Sequence, residues 1–231
     1  MQQGTSQADA ITINAGPSDA VFIRGLTVDG LGSGRYGLNF NTGAKLAITN
    51  CIFRHFVNIG VFINSSSPMA YSVSNTVVSD NGAGIYILGS APITGTISHT
   101  EADNNDQGVE QAINDSAAVT IVDSVAANNT YDGFYIQKGQ ATLSRVTANG
   151  SNFGITVETD KTVLVSDSTA SNNVDDGLFN DGGIVIITRF TATGNGAGLS
   201  TEFGTVFTYG DNRILENGTN VSGTLTPVTG N

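Results

Sequence analysis

Short runs of alternating apolar and polar residues recur along the chain at a nearly constant interval. An apolar spacing of two indicates β-strands, because alternate side chains of a strand point to opposite faces. Equivalent apolar positions are Ile48, Val73, Ile97, Ile121, Leu143, Val165, Ile187 and Tyr209. Their spacing of 22 to 25 residues predicts one coil of a solenoid per repeat.

A polar position follows each of these anchors at a fixed distance. Eight residues after the anchors lie Phe56, Asn81, Asn105, Asn129, Ser151, Asn173, Asn195 and Asn217. Asparagines in step at one bend predict a ladder of side chains that hydrogen-bond from coil to coil. A glycine follows the bend in most coils, and we expect it to tolerate a positive φ there. Three residues after the first anchor lies Cys51, which we expect to be a small buried side chain and not a nucleophile.

The repeat determines the fold class, because a coil this short cannot bury its own apolar face and must stack on its neighbours. Adjacent coils then lie about 4.8 Å apart. We therefore predict an all-β fold, a single-stranded right-handed parallel β-helix (β-solenoid) of about eight coils of 21–25 residues. Nothing resembles a linker, so residues 1–231 should form one domain, with tails over about 1–10 and about 221–231.

Charge and composition narrow the set of partners. The 231 residues include 20 acidic and 9 basic side chains, a formal net charge of −11, which disfavours binding to nucleic acid or an anionic membrane. No apolar run approaches the roughly 18 residues of a membrane span. The chain holds a single cysteine, so it cannot form an internal disulfide.

Three rungs carry a family resemblance. The segments VVSDNGAGIYI, VAANNTYDGFYI and STASNNVDDGLF resemble the right-handed β-helix repeat shared by pectate lyases, polygalacturonases and alginate epimerases. The stretches ITINAGPSDAVFIRGLTVDGLGSGRYGLNF and GDNRILENG resemble a pectate-lyase-like group of secreted bacterial β-helix proteins with no assigned activity. The resemblance covers nearly the whole chain and implies a secreted, extracellular or periplasmic protein whose signal peptide has been removed. It specifies fold better than chemistry.

The catalytic motifs of those relatives are missing. Asp175-Asp176 stands without the Gly-His-Gly and Arg-Ile-Lys motifs that accompany such a pair in polygalacturonases. His55 and His99 are the only histidines, and both fall at turn positions, so we assign neither a catalytic role. Whether the protein is an enzyme therefore stays open. If it is one, the resemblance implies a polysaccharide hydrolase or lyase.

The position two residues after each anchor carries most of the regular charge. The series reads Asn50, Asn75, His99, Asp123, Arg145, Asp167, Arg189 and Asp211. Charges of alternating sign on adjacent parallel strands attract one another, so this column predicts a surface ladder of ion pairs.

The strand that follows each glycine should point its second and fourth residues outward. By resemblance, this strand row forms the substrate groove of carbohydrate-active relatives. We predict an exposed strip of substrate-binding aromatic residues that flanks Glu110, with Glu202 further along. The strip comprises Phe62, Tyr86, Tyr135 and Phe179. The acid and base candidates are Glu110, Glu158 and Asp181, and the last two should stack with Glu202 one rung apart.

Two functional hypotheses remain. The first is an extracellular β-helix that binds or cleaves a polysaccharide along this face. The second is a non-enzymatic structural or interaction protein that contacts a protein partner or itself through an open coil end. The simpler explanation of the face is that aromatic residues favour strands and that the acidic side chains are solvated. No cofactor is predicted. Calcium binding by the acidic residues at the turns is an alternative to their ordinary role of hydrogen-bonding the backbone there. These residues are Asp103, Asp106, Asp132, Asp175 and Asp176.

Overall fold

The protein is a parallel β-solenoid of about nine coils, one more than the sequence predicts. A computed structural model describes residues 7–113 and 117–228. In this part of the chain every regular element is a β-strand, so no helix is long and apolar enough to cross a membrane. All strand pairs are parallel, as stacked coils require.

Each coil contributes strands to three parallel columns. Four long strands bend and belong to two columns each, namely β3 (Thr27–Thr42), β5 (Ile52–Ser65), β20 (Asp176–Thr188) and β22 (Ala197–Thr208). The first column, which we call the strand face, is completed by β1 (Ile11–Asn14), β8 (Ala83–Gly89), β11 (Gln107–Ile113), β14 (Asp132–Ile136), β17 (Phe153–Val157) and β24 (Thr219–Ser222).

The other two columns close each coil. The second contains β2 (Ala20–Arg24), β4 (Lys45–Thr49), β6 (Met69–Ser74), β9 (Ile93–Ser98), β12 (Ala118–Val122), β15 (Gln140–Ser144), β18 (Thr162–Ser166) and β25 (Leu225–Pro227). The third contains β7 (Val77–Ser79), β10 (Glu101–Asp103), β13 (Val125–Ala127), β16 (Thr147–Asn149), β19 (Thr169–Ser171), β21 (Thr191–Thr193) and β23 (Arg213–Ile214). Strands β24 and β25 extend the pairing into the expected C-terminal tail, and residues 1–6 of the expected N-terminal tail lie outside the described residues.

The inward side chains of the three columns form one continuous apolar core. Ile48, Ile97 and Ile121 are fully buried, as their place in the repeat predicts. Cys51 is 1% exposed, and its thiol donates to the carbonyl of Thr49, which confirms that it is a buried structural residue. The core therefore runs along the axis of the solenoid and leaves the outward side chains for other roles.

The asparagine ladder forms as predicted. The backbone N–H of Asn81 donates to Oδ1 of Asn105 at 3.0 Å, and that of Asn105 donates to Oδ1 of Asn129 at 2.9 Å. Their side-chain amides donate to carbonyls of the third column, for example from Asn129 to Ala102 at 3.0 Å. The side-chain amides of these asparagines are thus used between coils, which fixes the register of stacking.

The recurring glycine has a different cause from the one expected. Gly84, Gly108 and Gly133 do not have positive φ angles. A Cβ atom at Gly108 would instead lie 2.4 Å from the carbonyl oxygen of Gly133 and 2.9 Å from the side-chain amide of Asn129. The expectation of a positive φ was wrong, because glycine is required here by the close approach of the next coil.

A sharp corner joins the second column to the third, and the charged series lies on it. His99, Asp123, Arg145 and Asp167 all have positive φ, between 49° and 53°. Arg145 forms an ion pair with Asp123 at 2.6 Å, and Arg189 pairs with Asp167 in the same way. The ion-pair ladder is therefore confirmed. These side chains are largely exposed, so solvent screens the attraction within each pair.

Candidate functional site

The outward second residues of the strand-face strands stack in register from coil to coil. Phe62 lies opposite Tyr86, Tyr86 opposite Glu110, and Glu110 opposite Tyr135. The column then continues through Thr156 to Phe179 and Ser200. The structure therefore brings together Phe62, Tyr86, Glu110, Tyr135 and Phe179, which the sequence placed on one face.

The N-terminal part of this face is closed by its own aromatic rings. The ring centroids of Tyr36 and Phe62 lie 5.1 Å apart, and those of Phe62 and Tyr86 lie 5.5 Å apart. With Ile59 and Ala83 beneath them they form a small apolar cluster separate from the core, and Phe62 is only 8% exposed. We call these rings the closed stack. The expectation that Phe62 is exposed was wrong, because neighbouring rungs cover its ring.

An open cleft follows where the stack stops. It has a volume of about 400 Å³, within the range of small-molecule sites. Its lining consists of Gln107, Tyr131, Asp132, Tyr135, Phe153, Thr156, Glu158 and Phe179. The rings of Phe153 and Phe179 are 5.7 Å apart and also line a neighbouring depression, so the aromatic surface extends along the solenoid axis. Tyr135 and Phe179 thus lie in the cleft, and both are half-buried.

Glu110 occupies the boundary between the closed stack and the open cleft. Its side chain is buried, at 9% relative exposure, and this corrects the expectation that it is solvated. Burial, together with the negative charges of Asp132 and Glu158, raises the pKa of its carboxyl from 4.5 to about 7. Near neutral pH this group therefore exists in both protonation states, as an acid catalyst or a ligand-responsive carboxyl would.

Asp132 lines the cleft, whereas the sequence analysis placed it only among the turn acids, with calcium binding as the alternative. Its carboxylate accepts a hydrogen bond from the hydroxyl of Thr156 at 2.5 Å and a longer one from the side-chain amide of Gln107 at 3.5 Å. Burial raises the pKa of Asp132, and these two donors oppose the rise. Its partners are therefore strand-face side chains of adjacent coils. The sequence does contain a signal for this role. Asp132 directly precedes the recurring glycine of its coil, as the cleft residues Gln107 and Phe153 do in theirs.

Glu158 lies at the other wall of the cleft and is exposed. Burial and the adjacent Glu158 carboxylate raise the pKa of the Tyr135 hydroxyl, so Tyr135 stays a neutral donor. The side-chain amide of Gln137 donates to this hydroxyl at 3.1 Å and holds the ring in place. Glu158 also lines a neighbouring polar depression, together with Lys138.

The predicted stack of Glu158, Asp181 and Glu202 does not form. A bulge after Asn180 shifts the register, so that Asp181 lies opposite Phe203 and not opposite Glu202. Gly182, with φ of 144°, follows directly and allows the chain to bend there. Neither Asp181 nor Glu202 lines the cleft. The prediction of strict alternation was wrong at this bulge.

Residues that could coordinate a transition metal do not converge. His55 contacts Asp29 through Nδ1 at 3.0 Å, whereas His99 lies near Asp123 at 3.8 Å. Cys51 is enclosed in the core. Across residues 7–113 and 117–228 there is no group of three or more His, Cys, Asp or Glu side chains able to hold a metal ion. The turn acids offered for calcium are included in that result.

Comparison with known families gave one match. The family model described as periplasmic copper-binding protein (NosD) matches residues 70–228, which is more than half of the chain. Neither the curated proteins nor the solved structures gave a match. The matched span contains the cleft and, of the closed stack, Tyr86.

Proposed function

This chain belongs to the periplasmic copper-binding protein (NosD) family, and we propose that it acts as a glycan-binding β-helix of the periplasm. The family supports the expected secreted or periplasmic location. The observation that carries the proposal is the open cleft. In it, the rings of Tyr131, Tyr135, Phe153 and Phe179 line a single groove beside carboxylate and amide groups.

Copper does not account for this site. Cu⁺ prefers thiolate and thioether ligands, and Cu²⁺ prefers imidazole. Cys51 and Met69 are buried in the apolar core, and the two histidines lie at separate corners with different carboxylate partners. The described residues of this chain therefore do not fit a copper centre, and we derive no function through copper.

A glycan fits the cleft on physical grounds. The C–H faces of pyranose rings pack on flat aromatic rings, and such rings bury much apolar area while keeping a fixed orientation. Carboxylates and amides on the walls accept and donate hydrogen bonds to hydroxyl groups. Coils repeat about every 4.8 Å along the axis, so a linear chain that lies along the solenoid meets similar groups at successive rungs.

Retention on immobilised polysaccharides tests this proposal. Tyr135→Ala removes a half-buried ring from the cleft and should weaken retention about tenfold, since a lost ring contact is worth about 1 kcal/mol or more. Tyr209→Ala is the matched control, because Tyr209 is 58% exposed and does not line the cleft. Equal retention of the wild type and both variants, or no retention on any polymer, would contradict glycan binding in the cleft.

Cleavage of the bound glycan is a second candidate, favoured by Glu110. A carboxyl with a pKa of about 7 can protonate the leaving glycosidic oxygen at neutral pH, while Asp132 or Glu158 takes a proton from the water that adds to the anomeric carbon. We expect release of reducing ends from a polysaccharide that the protein binds, and loss of that release in Glu110→Gln. If a bound polymer stays intact over days, the protein is a binding module.

The alternative function is that of a non-enzymatic interaction protein that self-associates through its first coil. In the described residues strand β2 pairs with β4 on one side only, and its Phe22 is 69% exposed. Such an edge can add another strand. Light scattering over a range of concentrations separates the two classes, since a glycan-binding monomer keeps one mass throughout.

A further inference from the structure

A second recess adjoins the cleft on the side of the later coils. It also has a volume of about 400 Å³, and its lining consists of Phe153, Asp175, Asp176, Phe179, Gly196 and Ala197. Phe153 and Phe179 line both the cleft and this second recess. Their tilted rings, with centroids 5.7 Å apart, are thus a wall common to both, and the cleft and the second recess form one groove.

The groove follows the axis of the solenoid. The strands that carry most of its lining, β11, β14, β17, β20 and β22, pair one after another in successive coils. From Gln107 on the first of these strands to Ala197 on the last there are four coil steps, which is about 19 Å. A single sugar ring is shorter than this span, so a ligand that fills the groove is a linear chain of several units.

The ring pair is accessible from both parts of the groove. In the outward column Thr156 precedes Phe179 and Ser200 follows it. These smaller neighbours leave the ring of Phe179 half-buried, whereas the rings of the closed stack cover one another. An uncovered aromatic face packs best on a sugar whose hydroxyl groups are all equatorial, as in glucose, because both faces of such a sugar present only C–H groups.

The charges of the groove disfavour acidic glycans. Its lining includes four carboxylates, and among the described residues no lysine or arginine lines the cleft or the second recess. These carboxylates belong to Asp132, Glu158, Asp175 and Asp176. A polymer of uronic acids would meet like charges there without a cation to neutralise it, so the groove favours an uncharged chain.

We propose that the cleft and the second recess are two subsites for one ligand, an uncharged β-1,4-linked chain of glucose-type sugars that spans both. A β-1,4-linked chain is extended and follows a straight groove, whereas an α-1,4-linked chain curves away from it. The Phe153–Phe179 pair contacts the middle of the chain. This inference rests on the proposed function, since it names the class of glycan and adds a second site for it.

The test compares ligands by length and by charge. Calorimetric titration with a β-1,4-linked glucose dimer, which fills one recess, is set beside titration with the hexamer, which reaches both. We expect the hexamer to bind at least about tenfold more tightly, because its second contact forms at high effective concentration once the first is made. The β-1,4-linked glucuronate hexamer differs only in its carboxylates and should bind about tenfold more weakly than the glucose hexamer.

A variant that fills the second recess locates the effect. Ala197→Leu places a larger side chain in that recess and leaves the lining of the cleft unchanged. It should reduce the preference for hexamer over dimer to about threefold or less while the affinity for the dimer stays the same. Ala70→Leu is the matched control, because Ala70 is an exposed residue of β6, a strand paired on both sides, and lines neither recess. Circular dichroism confirms that each variant is folded.

The outcomes distinguish this inference from the proposed function. A preference for the hexamer that Ala197→Leu abolishes and Ala70→Leu retains supports the inference. Equal affinity for dimer and hexamer, an undiminished preference in Ala197→Leu, or tighter binding of the glucuronate hexamer overturns it and leaves glycan binding standing. If neither glucose ligand binds, the inference is also overturned, and retention on another immobilised polysaccharide decides whether the proposed function stands.

Discussion

The closed stack and the open cleft occupy the same columns of the same fold, yet they have opposite properties. In the N-terminal rungs the rings of Tyr36, Phe62 and Tyr86 follow one another directly and cover their neighbours. In the next rungs Glu110 and Thr156 alternate with Tyr135 and Phe179, so the rings are separated. A smaller or charged residue between two rings is enough to leave a groove.

The repeat places side chains at equivalent positions in every coil, and the identity of the outward residues decides whether a stretch of the face is closed or open. Uninterrupted rings gain their stability from one another, because tilted aromatic pairs contribute about 0.5–1.5 kcal/mol beyond their buried area. Interrupted rings keep one side uncovered, and that uncovered surface is what a ligand contacts. The closed stack should therefore matter for stability and the cleft for binding.

The largest difference between the two regions should appear in unfolding. Phe62→Ala removes a ring that is 8% exposed and packed between two others, and should lower the free energy of unfolding by about 3 kcal/mol. Tyr135→Ala acts on a half-buried ring at the open cleft and should cost about 1 kcal/mol or less. Urea denaturation of both variants measures the contrast, and equal losses would mean that the two regions are not distinct.

A smaller effect concerns the pH dependence set by Glu110. Its pKa is about 7 in the folded protein against 4.5 ordinarily, so the folded state holds this proton more tightly than the unfolded chain. Its contribution to stability is therefore present below about pH 4.5 and is lost as the pH rises through about 7. Glu110→Gln should match the wild type at pH 4.5 and be about 1–2 kcal/mol more stable at pH 8.

Thermal unfolding at both pH values measures this difference. Tyr86, Tyr135, Asp132 and Glu158 surround the group and are unchanged in the variant, so the difference between the two proteins isolates Glu110. A constant gap at all pH values would show that Glu110 ionises normally.

The smallest effect comes from closing the cleft boundary with a ring. Glu110→Phe would join Tyr86 to Tyr135 in one uninterrupted stack, and should be about 0.5–1 kcal/mol more stable than Glu110→Gln at pH 8. If Glu110→Phe is instead less stable than Glu110→Gln, the column has no room for a continuous stack, and the comparison between the two regions fails.

The fold could be predicted from the sequence because equivalent residues recur in many successive coils. The asparagines at 81, 105 and 129, the buried Cys51 and the corner charges each recur at one register, and a parallel solenoid is the arrangement that satisfies them together. The number of coils was short by one, because the anchor series began at Ile48 and left out Ile23, which lies opposite Ile48 in the preceding coil.

The cleft was only partly predictable. Period-two alternation identified Tyr135, Phe179 and Glu110, but not how far neighbouring rungs would cover Phe62. It also assumed strict alternation, which the bulge at Asn180 and Asp181 breaks. Asp132 was interpreted as a turn residue because the sequence does not show which side chains of adjacent coils, here Thr156 and Gln107, will contact it.

Hydrogen–deuterium exchange, measured with and without a polysaccharide fragment that the protein retains, tests whether the cleft is the binding site. With this fragment at saturation, we expect slower amide exchange at residues 131–135 and 153–158, which line the cleft, and unchanged exchange at 59–63 and 83–88 in the closed stack. Slower exchange confined to the closed stack, or none anywhere with bound ligand, would contradict the assignment of the cleft as the binding site.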